Sequence, residues 1–340
     1  MPHVTSTDDC VRSLTAAEVD GLLAAAQAAP SLHNSQPWSV TVHGERLEVH
    51  VDTTHATSVA DPSGRQRVVS AGAALFNLRL AVRSLGRQAA VRLFPEPEQP
   101  GLVAVLTVGA GTPPSPEERR LFEVVGERRT WRGPFSPTPL AEVLPPQLSY
   151  HAVREGALLV ELSARANQDR LADLLVAAVA EQIADPARAA EQHAWLRVGP
   201  ASDGIPLDNI LNAVYPVPGL YLPGSSRETP WQPAVRGLAY RDTLMALVTT
   251  TDEPEDWAGA GCALQRVLLT ATRFGLAAGF LNQPLESPRL RQELSTAMDL
   301  PGHPQMLLRL GYPDGAPPRP TPRRIVHAVL PTAGQEGQRT

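Results

Sequence analysis

The chain has no lysine, and all thirty of its basic residues are arginines. That absence excludes Schiff-base enzymes and Walker P-loop nucleotidases, both of which need a lysine amine. Cysteine is nearly absent too. Cys10 and Cys262 lie far apart with no Cys-x-x-Cys pair, so neither a disulfide framework nor a zinc centre is expected, and a reducing cytoplasm suits the chain. There is no excess of basic charge: the formal net charge of −5 gives no electrostatic reason to expect nucleic acid. No apolar run reaches the length that spans a membrane, and Met1 to Asp20 mixes acids and hydroxyls without the apolar centre of a signal peptide. A cytoplasmic protein with a small-molecule partner is expected.

The 340 residues suit two units of ordinary size. Thr15-Ala-Ala-Glu18 has the spacing of a capping box and predicts a helix that ends before Pro30. Residues 40–43 and 46–51 alternate around Gly44-Glu45, a hairpin signature in which the leading glycine points to a type II′ turn. Helical periodicity follows over 68–86, then strands at 89–94 and 102–108. A second capping box, Ser115 to Glu118, opens a helix predicted to run into Arg128. The remaining predictions are a strand at 157–162, a helix at 167–184, an irregular Pro- and Gly-rich stretch at 198–237, a strand at 244–250, helices at 258–274 and 288–298, and a strand at 306–310. Asp252-Glu253 looks like a solvated turn, and Gly109-Ala-Gly111 lacks the third glycine of a dinucleotide fingerprint.

Ala71-Gly-Ala-Ala-Leu75 can be laid over Ala260-Gly-Cys-Ala-Leu264, and in that register Leu80 meets Leu269 and Gly86 meets Gly275. An internal duplication is the reading, with small residues letting the two helices approach closely. Cys262 falls on the apolar helix and is assigned to the core. The nine histidines are scattered without metal-ligand spacing, so no metal is expected.

Two segments carry chemistry. Pro30-Ser31-Leu32-His33-Asn34-Ser35-Gln36-Pro37-Trp38 sits between a helix end and a strand, where backbone amides and short polar side chains either meet a ligand or satisfy a turn. Arg128-Arg129-Thr130-Trp131-Arg132 puts guanidinium groups and a hydroxyl on alternate residues, which suits a phosphate or a solvated basic cluster.

Together these runs resemble the nitroreductase superfamily, in which a Pro-Ser loop followed by Asn-x-Gln-Pro-Trp lies against FMN and an Arg-x-Ser-x-Arg/Lys run binds it. By that resemblance Pro30, Ser31, Asn34 and Gln36 form the first contact set. Arg128, Arg129 and Thr130 serve the phosphate, and Arg132 the N1 edge of the ring. Gly311-Tyr312-Pro313 followed by Arg323-Arg324 resembles the superfamily's closing segment, with either arginine returning to the phosphate. Gln283-Pro284-Leu285-Glu286 resembles the segment whose backbone faces the flavin N5, with Pro284, Leu285 and Glu286 as the contacts, although Ser287 replaces the usual glycine. A nitroreductase homodimer builds each site from both subunits, and here the loop occurs only in the first half and the arginine run only in the second. The resemblance therefore points to the fused, two-halved Acg-like branch.

It implies an α+β fold of two tandem halves forming an intrachain pseudo-dimer. The boundaries expected are 1–112 and 113–327, with an insertion at 198–237 that either covers the flavin as a lid or packs against the fused interface and leaves the pocket open, and a disordered tail at 328–340. It also implies one FMN per chain and ping-pong hydride transfer from NAD(P)H to a small electron acceptor, with no protein acid or base required. The alternative is a protein that stores or sequesters FMN under a closed lid. Whether the molecule is a monomeric pseudo-dimer or a homodimer stays open.

Overall fold

The computed structural model describes residues 13–55, 57–211 and 231–325. Helix α1 (Ala16–Gln27) starts at the expected capping box, with the Thr15 side chain accepting from the Glu18 amide and Glu18 answering at the Thr15 backbone. Strands β1 (Trp38–His43) and β2 (Arg46–Val51) form the hairpin. Gly44 has φ +60 while Glu45 stays outside the left-handed region, as the type II′ turn requires. Helix α2 (Arg65–Ser84) leads into β3 (Arg87–Leu93) and β4 (Leu102–Gly111), closing an antiparallel sheet of order β1-β2-β4-β3.

The chain then repeats itself. After α3 (Pro116–Glu123), helix α4 (Leu144–Val153) precedes β5 (Leu158–Glu161). A large insertion follows. It holds α5 (Arg165–Ala184), α6 (Pro186–Ala194), the two-residue parallel pair β6 (Leu196–Arg197) and β7 (Ile205–Pro206), α7 (Asp208–Leu211) and α8 (Gln232–Arg241). Strand β8 (Thr243–Thr249), helix α9 (Pro254–Arg273), β9 (Ala277–Phe280), α10 (Pro288–Ala297) and β10 (His303–Gly311) complete a second antiparallel sheet, of order β5-β8-β10-β9. Position for position this is the order of the first sheet, so the fold is α+β with two tandem halves.

The halves meet along α2 and α9, whose crossing is set by glycine. A Cβ on Gly72 would stand 2.1 Å from the Ala258 carbonyl oxygen, and one on Gly261 would stand 2.0 Å from that of Val69. No side chain fits at either point. Both helices stop the same way, with Gly86 at φ +73 and Gly275 at φ +72 as left-handed exits. Around the crossing, Leu75, Leu78, Val267 and Leu269 are fully buried, each contributing about 2 kcal/mol. Cys262 is core as expected, its thiol donating to the Gly72 carbonyl at 3.2 Å and its pKa pushed up to about 12 by burial.

Four expectations need correction. The helix opened at Ser115 ends at Glu123, short of Arg128, because the chain turns through Val124 to Glu127 around Gly126. Helix α4 hides behind Pro145 and Pro146, which lie in its first turn where proline is tolerated. The stretch 198–237 is not irregular throughout: it contains β7, α7 and the start of α8, while residues 212–230 lie outside those described, as does the tail 328–340. Asp252 is no solvated turn residue. It accepts from Arg291 at 2.6 and 2.7 Å, from Trp257 at 2.7 Å and from Gln305 at 3.0 Å, tying the start of α9 to α10 and β10. Among the described residues no helix is long and apolar enough to cross a membrane.

Candidate functional site

The Ser31–Gln36 loop is where the first half departs most from ordinary backbone. His33, Asn34 and Gln36 all adopt left-handed φ, at +50, +57 and +51, which a non-glycine residue holds only when its surroundings over-determine it. Here they do. The Ser31 hydroxyl accepts from the Gln36 amide at 2.9 Å. Asn34 Nδ2 donates to the Gly204 and Pro322 carbonyls at 2.9 Å each, and Asn34 Oδ1 accepts from Arg323 at 2.8 Å. Gln36 is completely buried, with Nε2 donating to the Ser202 carbonyl and Oε1 accepting from the Arg324 amide. The loop is thus clamped between the insertion and the closing segment.

Opposite it, Thr130 bridges to Ala278 and Trp131 donates its amide to the Ala278 carbonyl at 2.8 Å, so this run is extended along β9. Alternation then turns Trp131 into the protein, 6 % exposed, and leaves Thr130 and Arg132 on the face toward the loop.

Between these elements lies a cavity of about 180 Å³. Pro30, Ser31 and His33 form one wall, and Thr130 and Arg132 another. The floor comes from Gln66, Val69 and Ser70 of α2, with Leu264 of α9 and Met306 of β10. Leu196, Ile205 and Ile210 of the insertion cover it. A smaller compartment adjoins it, sharing Pro30, Ser31, Thr130, Arg132 and Ile205, and adds Asn34, Arg128, Arg129, Arg319, Thr321 and Arg323.

Among the described residues no carboxylate lines this second compartment. Arg128 is 5 % exposed; among the described residues its Nε has no partner, and a terminal nitrogen donates to the Ala28 carbonyl at 3.4 Å. Burial first, then repulsion from Arg323, Arg129 and Arg132, brings its pKa down to about 9. Arg323 is lowered to about 10 by burial and by Arg129. His33 is lowered to about 4 by burial and by Arg132, which keeps the imidazole neutral at pH 7. Mutually repelling, desolvated cations of this kind define a site for an anion.

Of the residues singled out in the sequence, the structure gathers Pro30, Ser31, Asn34, Arg128, Arg129, Thr130, Arg132 and Arg323 around these two compartments. Gln36 lies behind the loop. Arg324 turns away to Asp52, at 3.4 Å, and to the Gln36 carbonyl. Pro284 and Leu285 are buried beneath the cavity, where the Leu285 carbonyl accepts from Arg65 at 3.2 Å, while Glu286 lines the cavity itself. The lining also holds Gln182, Arg188 and Asn282, which the sequence did not single out, and His33 and Gln283, which stood inside the quoted loop and the 283–286 segment without a role of their own. Gln182 and Arg188 come from the insertion and carry no local signal.

No family profile matches the chain. It is 33% identical over 318 residues to a Mycobacterium tuberculosis protein named "Putative NAD(P)H nitroreductase Rv3131", covering 91% of this chain and 90% of that one. It is 27% identical over 341 residues to "Putative NAD(P)H nitroreductase acg" of the same organism, covering 97% and 98%. Among solved structures, a nitroreductase with bound FMN from Bacteroides fragilis aligns at 15% identity over 63% of this chain and 96% of its own, with a TM-score of 0.38.

Proposed function

The chain belongs to the nitroreductase superfamily, in its Acg-like branch, and from that premise we propose that it is an FMN-dependent NAD(P)H oxidoreductase binding one FMN per chain. The observation that carries this reading is the carboxylate-free arginine compartment joined to the larger cavity. The residues fit the group. Arg128, with its unpartnered Nε, and Arg129, Thr130 and Arg323 offer the forked donors a phosphate takes. Gln283 Oε1, buried without a partner, offers an acceptor to a ring N–H.

When bound, FMN supplies hydride chemistry, accepting from a nicotinamide and giving to a second substrate in the same place, which is ping-pong turnover. The chain's part is to hold and polarise. Arg132 lies where the two compartments meet, and its fixed charge stabilises negative charge on the ring. Arg65, donating to the Gln305 and Leu285 carbonyls, fixes the 284–286 turn. The neutral His33 and the apolar Leu196, Ile205 and Ile210 exclude water. On this reading the halves are 1–112 and 113–327, only one composite site survives, and the working compartment is the cytoplasm, where NAD(P)H is supplied. The pseudo-dimer needs no second copy to complete the site.

The test is an anaerobic titration of the purified protein with NADPH and then NADH, following the flavin band near about 450 nm. Bleaching is expected. One observation favours a second reading: Gly204 is tied to Asn34, so the insertion closes the cavity and would keep a nicotinamide out. A yellow protein that bleaches only with dithionite would replace turnover with cofactor sequestration.

A further inference from the structure

A further hollow, of about 570 Å³, adjoins the arginine compartment through Arg129, Thr321 and Arg323, which line both. Among the described residues none of its lining comes from the insertion. Its longest wall is α1, through Asp20, Leu23, Ala24 and Gln27, which helical spacing puts on one face. Asp20 and Ala24 are exposed, so the hollow is a groove that opens to solvent.

The groove carries unspent hydrogen-bonding and charge. Gln27 is 5 % exposed, and among the described residues neither its Oε1 nor its Nε2 has a partner. Each such buried, unpaired group costs about 1–3 kcal/mol, which an apolar side chain at this position would avoid. Helical side chains lean toward the N-terminus, which carries this amide over Leu23 and Ala24, the middle of the groove. Arg129 donates only to the Gly126 and Arg128 carbonyls, at 2.8 and 2.9 Å, and Arg323 to Asn34, Thr321 and the Pro322 carbonyl. Neither has a carboxylate partner among the described residues. With Arg128 and Arg132 they surround the neighbouring compartment with more positive charge than one phosphate, at most about −2, can neutralise. Asp20 stands seven residues from Gln27, about 10 Å along the helix axis, and makes no ion pair among the described residues. The occupant that fits is an anion at the arginine end, a flat ring with a donor beside an acceptor in the middle, and uncharged donors toward Asp20. A polyanion does not fit, because its far end would meet the carboxylate.

We propose that this groove is an adenylate site. The phosphate lies on Arg129 and Arg323, the adenine amino group and an adjacent ring nitrogen pair with the Gln27 amide, and the ring lies against Leu23, Ala24 and Val125. A hydroxyl or amino hydrogen reaches Asp20. The adenylate comes from one of two sources, free AMP or the AMP half of FAD, whose flavin half takes the site proposed above. Only the second source rests on that reading.

The experiment is a calorimetric titration of FMN-loaded, full-length protein with AMP, beside fluorescence titrations of flavin-free protein with FMN and with FAD. Both are run in wild type, Ala24→Trp and Gln27→Leu. AMP binding that is lost in Ala24→Trp assigns the free nucleotide. FAD affinity at least about 10-fold above that of FMN in wild type, and equal to it in Ala24→Trp, assigns the dinucleotide. In either case Gln27→Leu should weaken the adenylate by about 10-fold, the scale of one or two neutral hydrogen bonds, with FMN affinity unchanged. Gln27→Leu should also raise the Tm of unliganded protein, since it removes a buried unpaired amide. Absence of AMP binding together with FAD no tighter than FMN overturns the proposal, as does adenylate binding that neither variant alters. A chain that binds AMP but neither flavin upholds the groove and overturns the flavin reading instead.

Discussion

The two sides of the α2–α9 crossing began from the same plan and ended differently. On one side, residues 28–37 connect α1 to β1 and open a wide loop; on the other, the equivalent link between α4 and β5 is only residues 154–157. In the repeat register Ser70, which lines the cavity, lies over Gly259, where a Cβ would already stand 3.5 Å from the Glu155 carbonyl. The short link packs onto the helix at this point, within ordinary van der Waals contact. Charge follows the same division. Arg128, Arg129, Arg132 and Arg323 crowd together without a lining carboxylate. On the closed side Arg266 pairs with Glu155 at 2.8 Å and with Glu117, Arg79 pairs with Glu155 at 2.5 Å, and His151 accepts from Arg266 at 3.2 Å. On one side the arginines are paired with carboxylates of the chain, and on the other no carboxylate among the described residues lines the arginine compartment. Loop length is where the two halves of the duplicated fold part.

Breaking the shared crossing should have the largest effect. Gly261→Val puts a side chain into the Val69 carbonyl and should destabilise by about 3 kcal/mol or more, seen as a lowered Tm or insoluble protein, with flavin content lost along with the fold. Arg266→Ala leaves Glu155 and Glu117 short of a cation, which should cost about 3 kcal/mol in thermal unfolding while the flavin affinity of folded protein stays unchanged. Arg128→Ala should do the reverse. It should weaken FMN binding by about 10- to 100-fold in a fluorescence titration and, by relieving repulsion among the buried guanidiniums, leave the unliganded protein no less stable. If both variants moved stability and affinity together, the division drawn above would fail.

Smaller effects sharpen the comparison. His33 titrates near 4 when folded and near 6.5 when unfolded, so between those values the unfolded chain binds the extra proton. Stability should therefore rise with pH across that window, and His33→Gln should flatten the slope in denaturant melts. Arg323→Ala should reduce FMN affinity more than Arg324→Ala, because Arg324 is committed to Asp52 and Gln36.

Where the signal was local, the sequence was legible. Two capping boxes, the Gly44 hairpin and the helix exits at Gly86 and Gly275 depend on neighbours within a few residues, and each appears where the residues called for it. The helix-to-helix register survived because glycine at 72 and 261 is a steric necessity. What could not be read depends on distant partners. The choice between Arg323 and Arg324 is made by Asn34 and Asp52, nearly the whole chain away. Glu286 is met by Arg188 and Gln182, on helices whose sequence carries no sign of what they face. The Arg128 run was expected at a helix end, but the turn at Gly126 stops that helix at Glu123.

The clamp on the Ser31–Gln36 loop has a consequence in time. Its three left-handed residues each cost on the order of 1 kcal/mol, and the loop is held by bonds to Ser202, Gly204, Pro322, Arg323 and the Arg324 amide besides the local one from Gln36 to Ser31. A chain emerging from the ribosome presents the loop first, its Ser202 and Gly204 fasteners midway and those at Pro322 and Arg323 near the end, so the clamp cannot close before residue 323 has been made. On the function proposed above, a holoprotein forms only after that point, however early the first half folds.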